Sequence, residues 1–565
     1  MVDLKHQLGS ELKHAIALDN SSQSTVLTRH FRHTRMSGIL FGLFFSVFGC
    51  LILVQMFVIA GTSESVNSIF TPGVLKIIKS ASWQAFLSTA FSLVIGMISA
   101  RALHRRNSYW LSEFVLSASF LALVVPSSIA ALGIVAVWGR NGLFGSMGLS
   151  TGNLYGLWMV VLAHVFFNAP LVLRVAYSAL LSQPDYYWKI ASQNNLTSWQ
   201  IFKIIEWPSF HPLIIALSSL IFLLCFTSFS IVLMLGGGPN VTTLEVSIYH
   251  AVRYSFDLPL AASLSVLQTV ICSSLILVSK PLNFNISSPK PTSQTGLKRK
   301  DRENLIARFS DTLLLTGFFI LIFLPLIALV FRLDLLSGLK LFSQNRFWDA
   351  FYTSSKLALL SSITSVAIAI ILINSRYRLA QVGNHILIQF IDFSVSFYLL
   401  MPAIVFATGC FILFRGFVNL FDMAFWLVLI ANILFSLPFI TRILTPSFER
   451  ILSQHDKISL QLGITGLRRF LILTLPALHR ELQLVLGISF AFSLGDLSVI
   501  TLFGNHNFET LPYYLYQLYG RYGASEADML GIFLLGYIFI TYMIFGFAFW
   551  FLKKIKFLIR MDIGC

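Results

Sequence analysis

Charged side chains are scarce in this sequence. Lysine, arginine, aspartate and glutamate make up 11% of its 565 residues, whereas hydrophobic residues make up 56%. An average soluble domain carries about 25% charged residues, so a soluble globular protein is excluded. Several runs of about 20 residues contain almost no charge, and a helix of that length crosses a hydrocarbon core of about 30 Å. Such continuous apolar runs also exclude an outer-membrane barrel, whose strands alternate between apolar and polar residues.

Several features that carry chemistry are missing as well. The five cysteines lie in or beside apolar runs without metal-site spacing, so we interpret them as packing residues without a disulfide framework. The sequence has no G-x-x-x-x-G-K-[ST] loop to cradle phosphates, no polar stretch long enough for a nucleotide-binding domain, and no nucleophile–base pair. We therefore expect no enzymatic activity and no metal or cofactor bound by this chain. Any ATP and Mg²⁺ would be used by a separate subunit.

The apolar runs predict an all-α polytopic membrane protein, surrounded by lipid, with about twelve transmembrane helices. Basic residues cluster in alternate connections, beginning with Arg29, Arg32 and Arg35, and this alternation places both termini in the cytoplasm. The net charge of +16 thus reports membrane orientation and gives no reason to expect a nucleic-acid partner. The predicted spans lie near residues 38–60, 84–103, 113–138, 156–176, 213–235, 260–279, 312–331, 351–373, 387–414, 424–443, 482–503 and 528–551.

One long polar interruption divides the chain. Residues 281–311 are rich in proline, serine and basic side chains, as expected of a cytoplasmic linker. The polar start of the sequence lacks the pattern of a cleavable signal peptide and predicts a cytoplasmic arm. The predicted segments are an N-terminal arm (1–36), a first transmembrane half (37–280), the linker (281–311), a second transmembrane half (312–552) and a cytoplasmic C-terminal tail (553–565).

The two halves repeat one design. Proline and glycine stand at the same spacing in "VVPSSIAALG" (Pro126, Gly133) and in "LMPAIVFATG" (Pro402, Gly409). A constant separation of 268 residues then joins further landmarks. Chance does not maintain one separation across proline, arginine and aromatic positions, so we infer a parallel repeat of two six-helix halves about an axis along the membrane normal. The landmark pairs are Pro170 with Pro438, Arg174 with Arg442, Phe202 with Phe470, Pro208 with Pro476 and Phe222 with Phe490.

The repeat includes two polar, amphipathic segments. They are "KIASQNNLTSWQIFKIIEWP" (residues 189–208, the first repeated segment) and "KISLQLGITGLRRFLILTLP" (457–476, the second repeated segment). Placed on a helix, Trp199, Phe202 and Ile205 fall three residues apart and form an apolar stripe. Polar or glycine breaks before each stripe predict two short helices joined by a turn, and the closing proline predicts the start of the next span. Each segment alone fits a helix lying on the inner leaflet, but two symmetric copies favour a docking surface for a partner with two equivalent sites.

The second repeated segment resembles the EAA loop of binding-protein-dependent ABC importer permeases. It has a central glycine, an aromatic residue seven positions later and a final Leu-Pro. The resemblance implies that both segments dock on an ATP-hydrolysing subunit. The first repeated segment departs more from the pattern, because Asn195 replaces the glycine and Trp207 replaces the leucine, so we expect its ATPase contact to be weaker or differently built. Both segments also begin with lysine in place of the family's acidic residue. The coupling residues implied by the resemblance are Ala191, Trp199, Phe202, Pro208, Gly463, Leu467, Phe470 and Pro476.

Two further stretches narrow the resemblance. "FTSFSIVLMLGGGPNVTTLEVSIYHAV" (226–252) and "FSLGDLSVITLFGNHNFETLPYYLYQLYG" (492–520) are similar to fused thiamine/thiamine pyrophosphate permeases, which are related to iron(III) permeases. The resemblance implies the type I ABC importer permease fold, a place in the bacterial inner membrane, and ATP-driven import of thiamine or thiamine pyrophosphate. It also implies assembly with two copies of an ABC ATPase and one periplasmic thiamine-binding protein. The alternatives are iron(III) as the cargo and, from another class, an ion-coupled secondary transporter.

An ionisable side chain within an apolar run is costly, so it marks a candidate cargo path. Asp496 in "SLGDLSV" is such a residue. Its carboxylate suits a thiazolium cation, to which Phe492, Tyr513 and Tyr514 could add cation–π contact. Alternatively, Asp496 caps a broken helix or pairs with an arginine such as Arg442. Further candidates for the cargo path are His164 and Asn168.

Overall fold

Helices make up almost all of the structure. The computed structural model describes residues 32–61, 71–106, 108–148, 156–236, 238, 241–279, 299–302, 304–462, 464, 466–506, 508–520 and 524–562. Within those ranges, extended backbone pairs at a single bridge, between Asn505 and Phe508. The all-α prediction is therefore confirmed.

The helices of the two halves are numbered in chain order. Those of the first half are α1 (Arg32–Ala60), α2 (Pro72–Arg106), α3 (Tyr109–Val124), α4 (Ser127–Trp138), α5 (Leu143–Ser146), α6 (Leu157–Leu181), α7 (Asp185–Gln193), α8 (Ser198–Ile201), α9 (Trp207–Phe226), α10 (Ser230–Leu235), α11 (Leu244–Arg253) and α12 (Leu258–Ser279). Those of the second half are α13 (Leu305–Phe331), α14 (Leu335–Phe342), α15 (Asn345–Gln381), α16 (His385–Ser396), α17 (Ala403–Phe414), α18 (Ala424–Gln461), α19 (Gly466–Arg469), α20 (Leu475–Ala477), α21 (His479–Gly495), α22 (Ile500–Phe503), α23 (Leu511–Gly520) and α24 (Ala524–Asp562).

The number of membrane spans agrees with the sequence. Among the described residues, ten helices are long and apolar enough to cross a membrane, and two bent helix pairs raise the number to as many as twelve. Each of these twelve overlaps one predicted span. The chain is therefore a multi-pass membrane protein.

Two predicted spans are broken at equivalent prolines. The run 113–138 is divided between α3 and α4 by Pro126. The run 387–414 is bent by 93° between Leu399 and Ala403, around Pro402. Proline has no N–H to donate to the preceding turn, and its ring clashes with the carbonyl four residues back, so both helices stop before it.

Two further predicted spans stop early, again at equivalent places. In the predicted span 213–235, the helix α9 ends at Phe226, and the chain becomes helical again in the short α10. In the predicted span 482–503, the helix α21 ends at Gly495, and the chain becomes helical again in the short α22. Gly495 lies against Pro126 of the first half, because a Cβ added to this glycine would lie 3.0 Å from Pro126 Cβ. The break after α21 is thus placed at the interface between the halves.

The first span of each half packs against the opposite half. α1 lies along α15, α16 and α17, whereas α13 lies along α2, α3 and α4. Gly133 and Gly409, the glycines of the repeated Pro–Gly pattern, allow close packing of α13 and α1, here called the exchanged spans because each packs against the opposite half. A Cβ at Gly133 would lie 2.8 Å from the backbone oxygen of Pro325 on α13, and a Cβ at Gly409 would lie 2.2 Å from Ile52 Cγ2 on α1. The two halves predicted from the sequence are therefore interlocked in space.

Helical residues are present in the predicted linker and in the predicted C-terminal tail. The final part of the predicted linker is ordered, because Lys300–Arg302 form a short 3₁₀ turn and α13 begins at Leu305. The predicted C-terminal tail continues α24 as helix to Asp562. The end of the bundle that carries Arg299–Arg302 is called the linker face below.

Candidate coupling site and cargo path

The turn inside the first repeated segment is held by backbone hydrogen bonds. Leu196 N donates to Ala191 O (3.0 Å) and Asn195 N donates to Ser192 O (3.3 Å), which is the pattern of a Schellman helix ending. Asn195 has φ +52°, the left-handed conformation that glycine favours and that asparagine adopts more readily than most other residues. The replacement of the family's glycine by Asn195 therefore preserves the turn.

The second repeated segment has an equivalent bond at this turn. Ile464 N donates to Ser459 O (2.8 Å), and these residues lie 268 positions after Leu196 and Ala191. Gly463, predicted to take part in coupling, lies outside the described residues. α7 and α18 thus end in similar turns before the short helices α8 and α19.

A widened helical turn occurs at the same position in both segments. Residues Phe202–Glu206 and Phe470–Thr474 are π-helical, and each turn closes with a bond five residues long, from Trp207 N to Phe202 O and from Leu475 N to Phe470 O. The proline that follows each turn has no N–H to donate, and its ring clashes with the carbonyl four residues before it. The wider π turn relieves this clash. The closing prolines predicted to begin the next span therefore shape the segment itself.

The first repeated segment has a small core of its own. Ala191, Ile201 and Ile205 are buried together, with Trp188 and Leu196 packed around them. Two predictions change here. Ala191 faces this core and is buried, and Ile205 belongs to the core, whereas Trp199 is 69% exposed, so the predicted stripe is divided between two faces.

Large apolar side chains cover the outer face of the first repeated segment and of α7 before it. Trp199 stacks on Phe202 with ring centroids 5.4 Å apart, and Phe202 is half-buried under the Arg101 guanidinium. Pro208 is exposed at the start of α9. Tyr186, Tyr187, Ile190, Ile204 and Trp207 are exposed as well.

The second repeated segment presents fewer aromatic rings. Ile458, Leu462 and Leu471 are exposed, and Phe470 and Pro476 are half-buried. The side chain of Leu467 lies outside the described residues. The chain bends by 75° between Ala477 and His479, whereas the equivalent stretch of the first half runs straight through as one helix from Ser198 to Phe226. The two predicted docking surfaces therefore differ in shape as well as in sequence.

A fully buried carboxylate anchors the first repeated segment to α2. Glu206 accepts from Arg101 Nε of α2 and from Arg299 Nη2 (2.7 Å) of the linker. Arg101 also donates to Ser198 O (2.8 Å) at the start of α8. These bonds hold the start of α8 and the end of the π turn to the linker face of the bundle.

The ordered end of the linker extends this network to α13. Asp301 accepts two hydrogen bonds from Arg299, each 3.0 Å long, and lies 3.4 Å from Arg105 Nε. Burial alone would raise the pKa of Asp301, but the hydrogen bonds and charge of Arg299, with Arg105 and Ser198, hold it below its ordinary value. Asp301 is therefore charged at neutral pH, and its ion pairs weaken only when the pH falls through this lowered pKa.

The second repeated segment is anchored by a different carboxylate. Asp456, directly before the segment, accepts from Arg378 Nη2 of α15 (2.8 Å) and pairs with Arg469 of α19. Arg378 occupies the same position in α15 as Arg105 does in α2, counted from the start of each helix. The residue equivalent to Asp456 in the first half is Trp188, and the residue equivalent to Glu206 in the second half is Thr474. Each segment thus has one carboxylate anchor, at opposite ends.

The anchoring residues are absent from the sequence prediction. The sequence contains one signal for them. Glu206 and Asp456 are acidic residues in or directly before a repeated segment, and the chain has only 24 acidic residues. Arg101, Arg299 and Arg378 lie 78 to 105 residues away from the carboxylates they hold, and no spacing rule connects them. Arg469, the second partner of Asp456, is the one nearby arginine of these pairs. Only the folded structure brings the pairs together.

Asp496 lies where α21 breaks. Its Oδ1 accepts from the backbone N–H groups of Ser498 (3.0 Å) and Val499 (3.4 Å), so the capping interpretation is present in the structure. Its Oδ2 is buried and accepts no hydrogen bond from the described residues. No ion pair joins Asp496 to Arg442. One carboxylate oxygen therefore remains available beside the interface of the two halves.

The aromatic candidates make contacts of their own. Tyr514 donates to Gln344 Oε1 (2.6 Å), and the guanidinium of Arg346 already lies over its ring at 4.8 Å. Tyr513 packs against Gly504. Phe492 is partly exposed one turn before Asp496 and contacts the ring of Phe439, with centroids 5.2 Å apart. Of the three rings, only Phe492 is a neighbour of Asp496 along the same helix.

His164 and Asn168 lie within the packed core of the first half. His164 Nδ1 is 2.7 Å from Gln84 Nε2 and 3.2 Å from Ser88 Oγ, both on α2. Asn168 Nδ2 donates to His164 O (2.9 Å) and to Cys225 Sγ (3.4 Å). These contacts join α2, α6 and α9, and a role of the two residues in the cargo path stays a prediction.

Comparison with known proteins places this architecture in a family. Residues 92–287 match the family described as binding-protein-dependent transport system inner membrane component, a range that includes the first repeated segment. A thiamine transport system permease protein ThiP of Salmonella typhimurium is 36% identical over 464 residues, covering 81% of this chain and 86% of the relative. The chain belongs to the ThiP permease family. The ThiP of Escherichia coli is 34% identical over 473 residues (83% of this chain, 88% of the relative), and that of Brucella suis is 33% identical over 463 residues (80% and 83%).

Membership of the ThiP family confirms the resemblance found in the sequence. It makes this chain a transport subunit of the inner membrane, of the ABC importer class. The matched length includes most of both halves, so the fused two-half organisation is shared with the ThiP relatives.

Proposed function

We propose that this chain is the permease subunit of an ATP-driven ABC importer that moves thiamine or thiamine pyrophosphate across the inner membrane. The single observation that carries the proposal is the sequence identity of 32–36% to several thiamine transport permeases over about four fifths of the chain. Those relatives do not favour iron(III) as the cargo or an ion-coupled secondary transporter as the mechanism.

The proposal includes two copies of an ABC ATPase at the linker face and a periplasmic thiamine-binding protein on the opposite side. Positive residues in alternate connections support a cytoplasmic linker face and cytoplasmic termini. The two repeated segments, with their exposed apolar side chains, provide one docking surface for each ATPase. ATP and Mg²⁺ act in those partners.

Uptake by cells tests the cargo. A strain that lacks this chain and other thiamine carriers is expected to lose uptake of labelled thiamine, and expression of the chain with its ATPase and binding protein is expected to restore it. Labelled iron(III) is the matched alternative substrate. Restoration of iron uptake without thiamine uptake would show that the proposed cargo is wrong.

The free oxygen of Asp496 is a counter-ion for the thiazolium cation as it passes the interface between the halves. Asp496→Asn keeps an oxygen that can accept from Ser498 and Val499, but removes the charge. We expect thiamine transport at low substrate concentration to fall roughly tenfold or more, since a charged hydrogen bond contributes about 1.5–3 kcal/mol. Initial rates in proteoliposomes measure the effect. If Asp496 is only a helix cap, Asp496→Asn will transport like the wild type.

The stacked pair Trp199 and Phe202 is an anchor for the first ATPase. Replacing both residues with alanine is expected to weaken ATPase binding roughly 30-fold, because an aromatic anchor contributes about 2 kcal/mol or more to an interface. The matched control is Trp83 with Phe86, an exposed stacked pair on α2 with centroids 5.9 Å apart. ATPase retention on the detergent-purified permease measures both variants. Equal retention by the two would contradict the docking role.

A further inference from the structure

The ordered end of the linker lies between the first repeated segment and the second half. Arg299 is buried, with its guanidinium 4.7 Å from the ring centroid of Trp188. It donates to Glu206 and Asp301, and its Nη1 lies 3.0 Å from His104 Nδ1. The described end of the linker, residues 299–302, is therefore packed into the linker face.

The network continues from Asp301 into α13. Arg105 lies 3.4 Å from Asp301 and 3.3 Å from Asp311, and Arg106 Nε donates to Asp311 (2.7 Å). Ser198 Oγ, at the start of α8, donates to Asp301 (3.3 Å). Four guanidinium groups and three carboxylates are thus joined without interruption, from the first repeated segment through the linker to the first span of the second half.

The second repeated segment has no such connection among the described residues. Its carboxylate, Asp456, pairs with Arg378 and Arg469, and all three residues belong to the second half. The first half has Trp188 at the position of Asp456, and the linker arginine covers that ring. The first segment is therefore held in part by an arginine of the linker, whereas the second segment is held by arginines of its own half.

We propose that Arg299 and Asp301 are positioning residues of the transport cycle. They tie the first repeated segment to α13, so that a displacement of this segment by its ATPase moves the first span of the opposite half as well. A buried ion pair suits this task because its geometry is fixed and breaking it is costly, so the connected elements move together. The inference rests on the proposed function, since it assumes that the repeated segments receive the movement of the ATPases.

The test compares Arg299→Gln with Arg302→Gln in the complete complex. Arg302 is half-buried in the same 3₁₀ turn and forms no ion pair in the network, so it is the matched control. The permease with its ATPase and thiamine-loaded binding protein is placed in proteoliposomes, and transported thiamine and hydrolysed ATP are measured together. We expect Arg299→Gln to lower thiamine transported per ATP roughly tenfold, a typical allosteric coupling, while the KM for loaded binding protein and ATPase retention stay unchanged. Arg302→Gln is expected to match the wild type.

Further variants separate positioning from a folding defect. Arg299→Lys keeps the charge beside Glu206 but loses the forked contact with Asp301, so an intermediate ratio of thiamine to ATP is expected. Asp301→Asn is expected to resemble Arg299→Gln. A normal ratio for Arg299→Gln, or loss of ATPase retention in both Arg299 variants, would overturn the inference. Failure of the wild-type complex to transport thiamine would instead overturn the proposed function.

Discussion

Gly133→Val is expected to separate α13 from the half against which it packs. The added side chain would meet the backbone oxygen of Pro325, at 2.8 Å from its Cβ alone, and a backbone atom cannot move aside as a side chain can. Overpacking of this kind costs about 1–3 kcal/mol, and small residues at helix contacts are what allows close packing in membranes. We expect a lower unfolding temperature in detergent and a loss of transport.

Two further substitutions show whether the effect belongs to the exchanged spans. Gly409→Val, at the equivalent position, is expected to act in the same direction, because its Cβ would lie 2.2 Å from Cγ2 of the buried, β-branched Ile52. Gly317→Val on α13 is the control, since a Cβ there meets nothing within 4 Å. If Gly317→Val lowers the unfolding temperature as much as Gly133→Val, the contact between exchanged spans is not the cause.

Asp456→Asn is expected to release the second repeated segment. The substitution removes the carboxylate shared by Arg378 and Arg469 and leaves two buried positive charges facing one another. Removing one partner of a buried ion pair costs about 3–5 kcal/mol. We expect ATP hydrolysis by the assembled complex to continue with little transport, because the segment is no longer fixed to α15. Thiamine transported per ATP is the measurement.

The chain offers both a control and a rescue for this prediction. Asp392 pairs with Arg376 at 3.0 Å, but its side chain is 50% exposed, so Asp392→Asn is expected to cost about 1 kcal/mol or less and to leave transport intact. Arg469→Gln, added to Asp456→Asn, removes one of the facing charges and is expected to restore part of the lost stability but not the coupling, because the segment remains unattached to α15. A fully active Asp456→Asn protein would show that this anchor does not transmit movement.

The two carboxylate anchors, Glu206 and Asp456, explain why the two repeated segments are attached differently although the halves share one repeated pattern. The sequence predicted a weaker or differently built contact at the first segment from the loss of glycine and of Leu-Pro. The turn is in fact preserved by Asn195, and the difference lies in the anchoring, where Glu206 and the linker replace the role of Asp456. Whether the two ATPase contacts differ in strength stays a prediction.

The sequence by itself determined the spans, the repeat and the family. These depend on local properties: a run of about 20 apolar residues can satisfy its backbone in lipid only as a helix, and a proline removes a backbone donor and can stop a helix, as at Pro126 and Pro402. The constant separation of 268 residues and the pattern of the repeated segments can be recognised without knowing any contact in the folded protein. The same locality limits the site prediction: Ala191, predicted on a docking surface, is buried, and the ring of Tyr514, predicted beside Asp496, lies under Arg346. The roles of these residues stay predictions.

Only the tertiary structure decided which half each first span joins and which charges hold the two segments. Gly133 meets Pro325 almost two hundred residues later, and Arg299 meets Glu206 across 93 residues. Packing and ion pairing depend on distance in space, and in a chain where nearly every span is apolar, hydropathy does not distinguish one partner helix from another. Small residues and a few buried charges make that choice, and their partners are defined only when the helices are assembled.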